Sequence, residues 1–415
     1  MSSQKILIIS SVWVEPNSSA AGSRMLQLIE AFQSQHWDIT YASTSLKNEF
    51  AFNLSSLQIN TKTIELNNKS FDTFISNLKP TIVVFDRFII EEQFGWRVAE
   101  KLPNCLRILD TEDLHCLRKT REIALKENRV FKETDLLKED SAKREIASIL
   151  RCDLSIIISK YEMKLLKNLF KIDESLLIHT PFLLDSVRES AFKKFPTYTN
   201  REHLYFIGNF LHQPNYDAVL FLKKEIWPVL SKKLPKIELH IYGAYPTQKV
   251  NQLHNKKERF IIKGRVEDLK EILPNYRICL APIRFGAGLK GKFIEAMLFG
   301  TPSITTSIGS EAMHKSIEWS GFISNNSGSI INNTVTLYNN GTIWNSKQHQ
   351  AIKIINKCYG KNKYSKKLIH QIVKTQKNLT KHRANNFMGE LLQHHALQST
   401  KYFSQWIEAK NKNLS

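Results

Sequence analysis

Paired cysteines are missing from this chain. Its five, Cys105, Cys116, Cys152, Cys279 and Cys358, stand far apart with no C-x-x-C among them. That argues against a structural zinc or disulfide framework and fits a reducing compartment. Cys279 sits in an apolar run and reads as packing, with no local feature to lower a thiol pKa. Long hydrophobic stretches are missing too: no window reaches the roughly 18 uninterrupted apolar residues of a membrane span. The amino-terminal MSSQKILIISSVW lacks the layout of a signal peptide and reads as a first buried strand. The expectation is a cytoplasmic protein, at most peripheral at the inner membrane surface.

Several catalytic signatures are also absent. After the first strand comes EPNSSAAGSR with a single glycine, Gly22, so G-x-G-x-x-G is not formed and a nicotinamide or flavin domain is disfavoured. There is no G-x-x-x-x-G-K-[ST], no H-E-x-x-H and no G-x-S-x-G, and the adjacent His394 and His395 cannot share a helix face. Acidic residues are scarce: the net charge is +20. From Asn345 to Ser415, 14 Lys and Arg face two acids, Glu390 and Glu408, so that this segment carries +12 and the other 344 residues +8. Such a balance suits nucleotides, phospholipid head groups or nucleic acid; a generally basic surface is the plainer explanation.

What is present is an ordinary α/β composition, 42% hydrophobic and 24% charged, at a length that suits two domains. Apolar runs alternate with amphipathic ones. Strands are expected at 5–13, 37–43, 81–88, 105–113 and 152–159. Helices are expected at 20–34 and 160–170, with a long charged helical region at 117–149. A looser stretch at 185–203 separates these from strands at 204–210, 237–243, 259–266, 277–283 and 302–308, with helices between, the first at 215–230. Two tandem series of this kind imply two doubly wound parallel sheets facing a cleft. The domains are placed at 1–195, 196–345 and, as a basic helical tail packing back across both, 346–415. In the tail, Leu397, Phe403, Trp406 and Ile407 can share one helix face. That stripe is expected to dock on the body of the protein, the alternative being an amphipathic helix on a membrane surface.

The stretch RFGAGLKGKFIEAM, Arg284 to Met297, carries the chemistry. Arg284, Gly286 and Gly288 follow a strand; glycine lets backbone approach a ligand. A helix starting near Lys292 points its amides into the same space and favours an anion there. Lys290 and Lys292 add full charge. Glu295, one turn in, repels phosphate but can accept hydrogen bonds from two sugar hydroxyls. Diphosphate plus ribose is the polar part of a nucleoside diphosphate. The competing readings are a solvated loop for the two lysines and a dipole-favoured helix charge for Glu295.

The segment LAPIRFGAGLKGKFIEAMLFGTPSITTSIGSEAM (280–313) resembles the donor-binding region of GT-B glycosyltransferases, most like retaining family 4 (glycosyl transferases group 1). YFIGNFLHQPNYDAVLFLKKEIWPVL (205–230) resembles the first strand-helix unit of the same domain, and AGSRM, with Gly22, the glycine loop of the acceptor domain. The resemblance implies transfer of a sugar from a nucleotide diphosphate sugar to a hydroxyl of a glycan, lipid-linked or protein acceptor. It further implies retention at the anomeric carbon and neither metal nor cofactor, the donor being a substrate.

Residue by residue, Glu295 matches the second of a pair of glutamates eight positions apart; the first falls on Ala287. Asn209 takes the position of the family's phosphate-binding Arg, which leaves Lys290 and Lys292, with Arg284, as the cations near the diphosphate. Gly309 and Glu311 of SIGSEAM match the loop beside the nucleotide. His115, in DTEDLHCLRKTR, lies where such enzymes place a histidine facing the sugar, and Asp110, Asp113, Arg118 and Arg121 are candidates to orient it or the acceptor. A charged helix start capped by Asp113 is the competing reading there. Two other functions stay open: a nucleotide-sugar epimerase of the same fold, which needs no acceptor, and a nucleic-acid binder using the basic tail, although no nucleic-acid module is present and none is expected as a partner.

Overall fold

The computed structural model describes residues 4–412, without the side chains of Leu397 and Lys412. The first domain is a seven-stranded parallel sheet. Its strands are β1 (Lys5–Ser10), β2 (Asp38–Ser43), β3 (Asn60–Thr63), β4 (Ile82–Asp86), β5 (Leu106–Asp110), β6 (Leu154–Ile157) and β7 (Leu177–His179), in the order β3-β2-β1-β4-β5-β6-β7. The second is a six-stranded parallel sheet of β8 (Glu202–Ile207), β9 (Leu239–Tyr242), β10 (Phe260–Gly264), β11 (Tyr276–Ala281), β12 (Ser303–Thr305) and β13 (Gly321–Ile323), ordered β10-β9-β8-β11-β12-β13. The central strands are nearly continuous apolar runs because helices cover both faces of each sheet. Ile6 of β1, for example, pairs with Ile39 on one side and Ile82 on the other, all buried.

Three strands escape the periodicity. β3 is NTKT, a polar, largely exposed edge, where charge and polarity discourage further pairing. β7 and β13 are three residues long, too short for an alternation to register. The region 117–149 is two helices, His115–Lys126 and Asp140–Arg151, with a 3-10 segment Glu133–Lys138 between them.

Each strand order reverses once, between β1 and β4 and between β8 and β11, and ligands of open α/β sheets bind outside the carboxyl ends at such points. The chain crosses between domains twice, side by side. Leu184 N–H donates to Tyr359 O and Lys361 N–H to Leu184 O, both at 2.8 Å. Helix Gly341–Cys358 runs through residue 345 and buries Trp344, Ala351 and Ile355 in the second-domain core. After the return crossing, helix Lys361–Lys377 buries Tyr364, Leu368 and Ile372 against β1 and β4 residues of the first domain. Helix Phe387–Lys412 then lies on helices Phe88–Lys101 and Asp140–Arg151.

The expected docking of the tail stripe is corrected here. Phe403 and Trp406 are 62% and 57% exposed, and Ile407 is only partly covered; the Leu397 side chain lies outside the described residues. The helix turns polar side chains inward instead, because their partners on the body are buried arginines.

Candidate functional site

Between the domains lies a cavity of about 590 Å³, within the size range of small-ligand sites. It is walled by the loops that leave the carboxyl ends of β1, β4 and β5 in one domain and of β8, β9 and β11 in the other.

The β11 loop is shaped by Gly288, whose φ of +62° suits glycine, and a Cβ there would come 2.8 Å from Asp113 Cβ of the opposite domain. The helix that follows is Gly291–Leu298, with Lys290 at its cap. Lys290 Nζ donates to Gly288 O at 3.1 Å and Lys292 Nζ to Asn215 Oδ1 at 2.6 Å. Both lysines line the cavity half-buried, and neither has an ion-pair partner among the described residues. Burial pulls each ammonium down to about 8, partly opposed by Glu311 for Lys290 and by Glu295 for Lys292. Glu295 faces the same space, its carboxyl pushed up by burial to about 7 against the pull of Lys292. The Cys279 thiol is buried and pushed up to about 12 by desolvation, which makes it packing.

Across the cavity, His115 starts helix His115–Lys126. Its backbone N–H and that of Cys116 both donate to the buried carboxylate of Glu145, each at 3.0 Å. The ring packs edge-on against Phe88, with Nε2 3.4 Å from Asp113 Oδ1. Burial lowers the imidazole to about 4, against the pull of Asp113, so at neutral pH it is an uncharged hydrogen-bonding group. Asp113 is held by Arg118.

Six of the ten candidate residues line the cavity: His115, Lys290, Lys292, Glu295, Asn209 and Gly288. Four do not. Gly22 sits on helix Ala20–Gln33, where a Cβ would fall 2.3 Å from Glu15 O; it lets the helix pack under the β1 loop. Arg284 is turned away into a two-pronged pair with Asp217, at 2.9 and 2.5 Å, over the Phe221 ring. Gly309 packs against Thr305, with no room for a Cβ. Glu311 is bound by Arg121 of the first domain, at 2.7 and 2.9 Å, so both charges are spent on an interdomain tie. Asn209 is itself committed in part, its Nδ2 donating to Ser18 O at 3.3 Å. Asp110 is wholly buried and serves Arg24, described below.

Other residues that the sequence reading passed over organise the site. Arg24, 1% exposed, donates through Nη1 to both oxygens of Asp110 (2.8 and 2.6 Å) and through Nη2 to Thr180 O (3.2 Å), with Glu112 at 3.4 Å. This knits β5 and β7 to the helix after β1. Burial pushes the Glu112 carboxyl up to about 8, with Arg24 opposing. Arg87 and Glu112, at φ of +73° and +58°, both line the cavity in conformations side chains seldom adopt, a form of strain that clusters at functional sites. Glu162 is fully buried, and one of its oxygens accepts Leu114 N–H at 3.0 Å and Gly288 N–H of the other domain at 2.8 Å. Tyr245 spans the mouth, donating to Glu15 (2.7 Å to the nearer oxygen) and accepting from Asn48 Nδ2 at 3.1 Å. A signal for the buried charges exists: Arg24 shares the stripe of Leu28 and Ala31, Glu145 that of Ala142 and Ile149, and Glu162 that of Leu165 and Leu166. A charge on an apolar stripe is buried only with partners. Among the described residues, no three His, Cys, Asp or Glu side chains gather as a metal site.

Glu162→Ala leaves two buried N–H groups without an acceptor, at a cost of about 1–3 kcal/mol, and frees the Gly288 loop. On the expectation that the Gly288 loop holds a nucleoside diphosphate sugar, the result is a rise of about tenfold in KM for that substrate with little change in kcat, since the loss falls on binding. Glu162→Gln keeps the acceptor oxygen and is expected to stay near wild type; equal kinetics for the alanine variant would remove Glu162 from loop positioning.

Residues 201–340, which hold Lys290, Lys292 and Glu295, match the family Glycosyl transferases group 1. A comparison with curated proteins finds no match. Among solved structures, the fold is similar to sucrose-phosphate synthase from Thermosynechococcus elongatus (16% identity, 88% of this chain and 98% of that chain, TM-score 0.66). It is also similar to a glycosyltransferase from Rickettsia africae (14%, 91% and 100%, 0.63) and to HepE of Anabaena in complex with UDP and glucose (12%, 89% and 100%, 0.64). The second domain of this chain thus matches glycosyl transferases group 1, and the chain along its length has the two facing parallel sheets of the GT-B fold.

Proposed function

We propose that the chain moves a sugar from a nucleoside diphosphate sugar to an acceptor hydroxyl with retention of configuration, using side-chain cations and helix amides where other enzymes use a metal. The observation that carries this is the convergence of Lys290, Lys292 and Glu295, at the start of one helix, on the same cavity as His115 from the other domain. The two ammonium groups and the N-terminal amides of Gly291–Leu298 offer the field that a departing diphosphate needs. Glu295 accepts from the ribose hydroxyls. The neutral His115 hydrogen-bonds the transferred sugar. Attack comes from the face the diphosphate leaves, and the leaving group takes the acceptor proton. The tie of Glu162 to Gly288 supports closure that excludes water from the donor. The solved complexes of HepE with UDP and glucose and with UDP-glucose support a uridine nucleotide as the first donor to try.

Incubation with UDP-, GDP- and ADP-sugars tests the reading. One nucleoside diphosphate is expected to raise the thermal midpoint, by about 2.7 kcal/mol of added stability at a hundredfold excess over its Kd. Release of that nucleotide from its sugar conjugate is expected to depend on an added acceptor. Sugar isomerisation without any acceptor assigns the chain to the epimerases, and the absence of any nucleotide-induced shift removes the donor site.

A further inference from the structure

Helix Phe387–Lys412 is docked with its polar side inward. Gln393 and Glu408 are each 8% exposed. Arg107 Nη1 donates to Gln393 Oε1 at 2.9 Å, Ser404 Oγ donates to Asn67 Oδ1 at 2.7 Å, and Arg97 Nη2 lies 3.9 Å from Glu408. Gly389 lets the helix close on its neighbour, since a Cβ there would stand 2.2 Å from Leu150 O. Specific polar contacts thus set the orientation. They leave Phe387, Met388, Leu391, Tyr402, Phe403 and Trp406 facing out, each at least 40% exposed. The Phe403 and Trp406 rings stack at 5.9 Å, and Lys410 Nζ sits 5.3 Å from the Trp406 ring.

A helix serving only its own fold turns its apolar stripe to the core. One that shows aromatic residues to solvent over several turns marks a surface that meets something else. Charge selects what. Of the two acids between Asn345 and Ser415, Glu408 is turned inward toward Arg97, leaving Glu390 against a Lys- and Arg-rich segment. On the helix itself Lys410 is exposed beside the Trp406 ring. A second copy of a chain with net charge +20 is repelled by this surface, whereas an anionic bilayer is attracted to it. Tryptophan and tyrosine also favour the zone where hydrocarbon meets head groups.

We propose that helix Phe387–Lys412 is a bilayer-surface anchor, its outward aromatic face entering the head-group region of an anionic membrane while Lys410 beside it meets lipid phosphate. The helix lies in the membrane plane and does not cross it: no helix among the described residues is long and apolar enough to span a bilayer. The proposal stands apart from the donor chemistry, since none of these side chains lines the cavity.

Flotation of the full chain with vesicles of equimolar phosphatidylglycerol and phosphatidylcholine is the test. Binding is expected there and at least about tenfold more weakly with phosphatidylcholine alone. Phe403→Ser combined with Trp406→Ser is expected to weaken binding to the anionic vesicles about tenfold or more. Its thermal midpoint and its turnover on a water-soluble acceptor should be unchanged. Phe403→Trp combined with Trp406→Phe is expected to keep wild-type binding. Failure of the wild type to float, equal flotation of the serine variant, or a wild-type dimer that the serine variant splits into monomers each overturns the anchor, the last by giving this face to a second copy of the chain.

Discussion

Replacing Lys290 and Lys292 together by alanine lowers turnover at least about a hundredfold, the scale expected when stabilisation of a growing anionic charge is removed. The fold is expected to survive. Lys290 donates only to a carbonyl of its own loop, and Lys292, over the Phe206 ring, donates only to Asn215, whose Nδ2 remains bonded to Asn209 O at 2.7 Å. Wild-type turnover in a folded double variant would take the diphosphate role away from this turn. The same side chains shape a pH profile. Both ammonium groups sit near 8, so they lose their protons as pH rises through that value, and kcat/KM, which reports the free enzyme, falls on the alkaline side. Glu295 sits near 7, and protonation below that value removes its capacity to accept two hydroxyls, so kcat/KM also falls on the acid side. A narrow bell between about pH 7 and 8 is expected. Glu295→Gln is expected to lower its height and abolish the acid limb; a limb that persists belongs to another group.

Arg24→Ala is the substitution with the largest expected effect on stability. The guanidinium is buried between two carboxylates, Asp110 and Glu112, and Asp86 stands on the adjoining strand end, held by Ser10 and Arg87. Removing one partner of a buried ion pair leaves uncompensated charge, at a cost of about 3–5 kcal/mol. For a domain of this size each kcal/mol is worth about 2–4 °C, so the first-domain transition is expected to drop by about 10 °C in calorimetry. The loss should be partly recovered in Arg24→Ala combined with Asp110→Asn, because the second change removes the orphaned carboxylate. A single variant that melts with the wild type would mean that the cluster is solvated and that Arg24 does not hold β5 to the helix after β1.

The alternation of apolar runs with amphipathic ones was enough to place the long strands, the crossover helices and hence two parallel sheets, because periodicity is local and each central strand is buried on both faces. The glycine-lysine turn before a helix was legible for the same reason: amide direction, left-handed glycine and nearby cations are consequences of consecutive residues. Sequence could not say which charges stay free. Arg284 stands as close to the turn in sequence as Lys290 does and Glu311 lies in the next loop, yet Asp217 and Arg121 consume them. Those partners lie 67 and 190 positions away, and only folding brings them within hydrogen-bond reach. Arg24, Glu145 and Glu162 escaped notice likewise, since a charge on an apolar stripe announces burial but not its partner. The last helix shows the limit best: its pattern revealed an apolar face, while the direction of that face was settled by Arg97 and Arg107 on the first domain, whose buried charges attract the polar side more strongly than the core attracts the aromatic one.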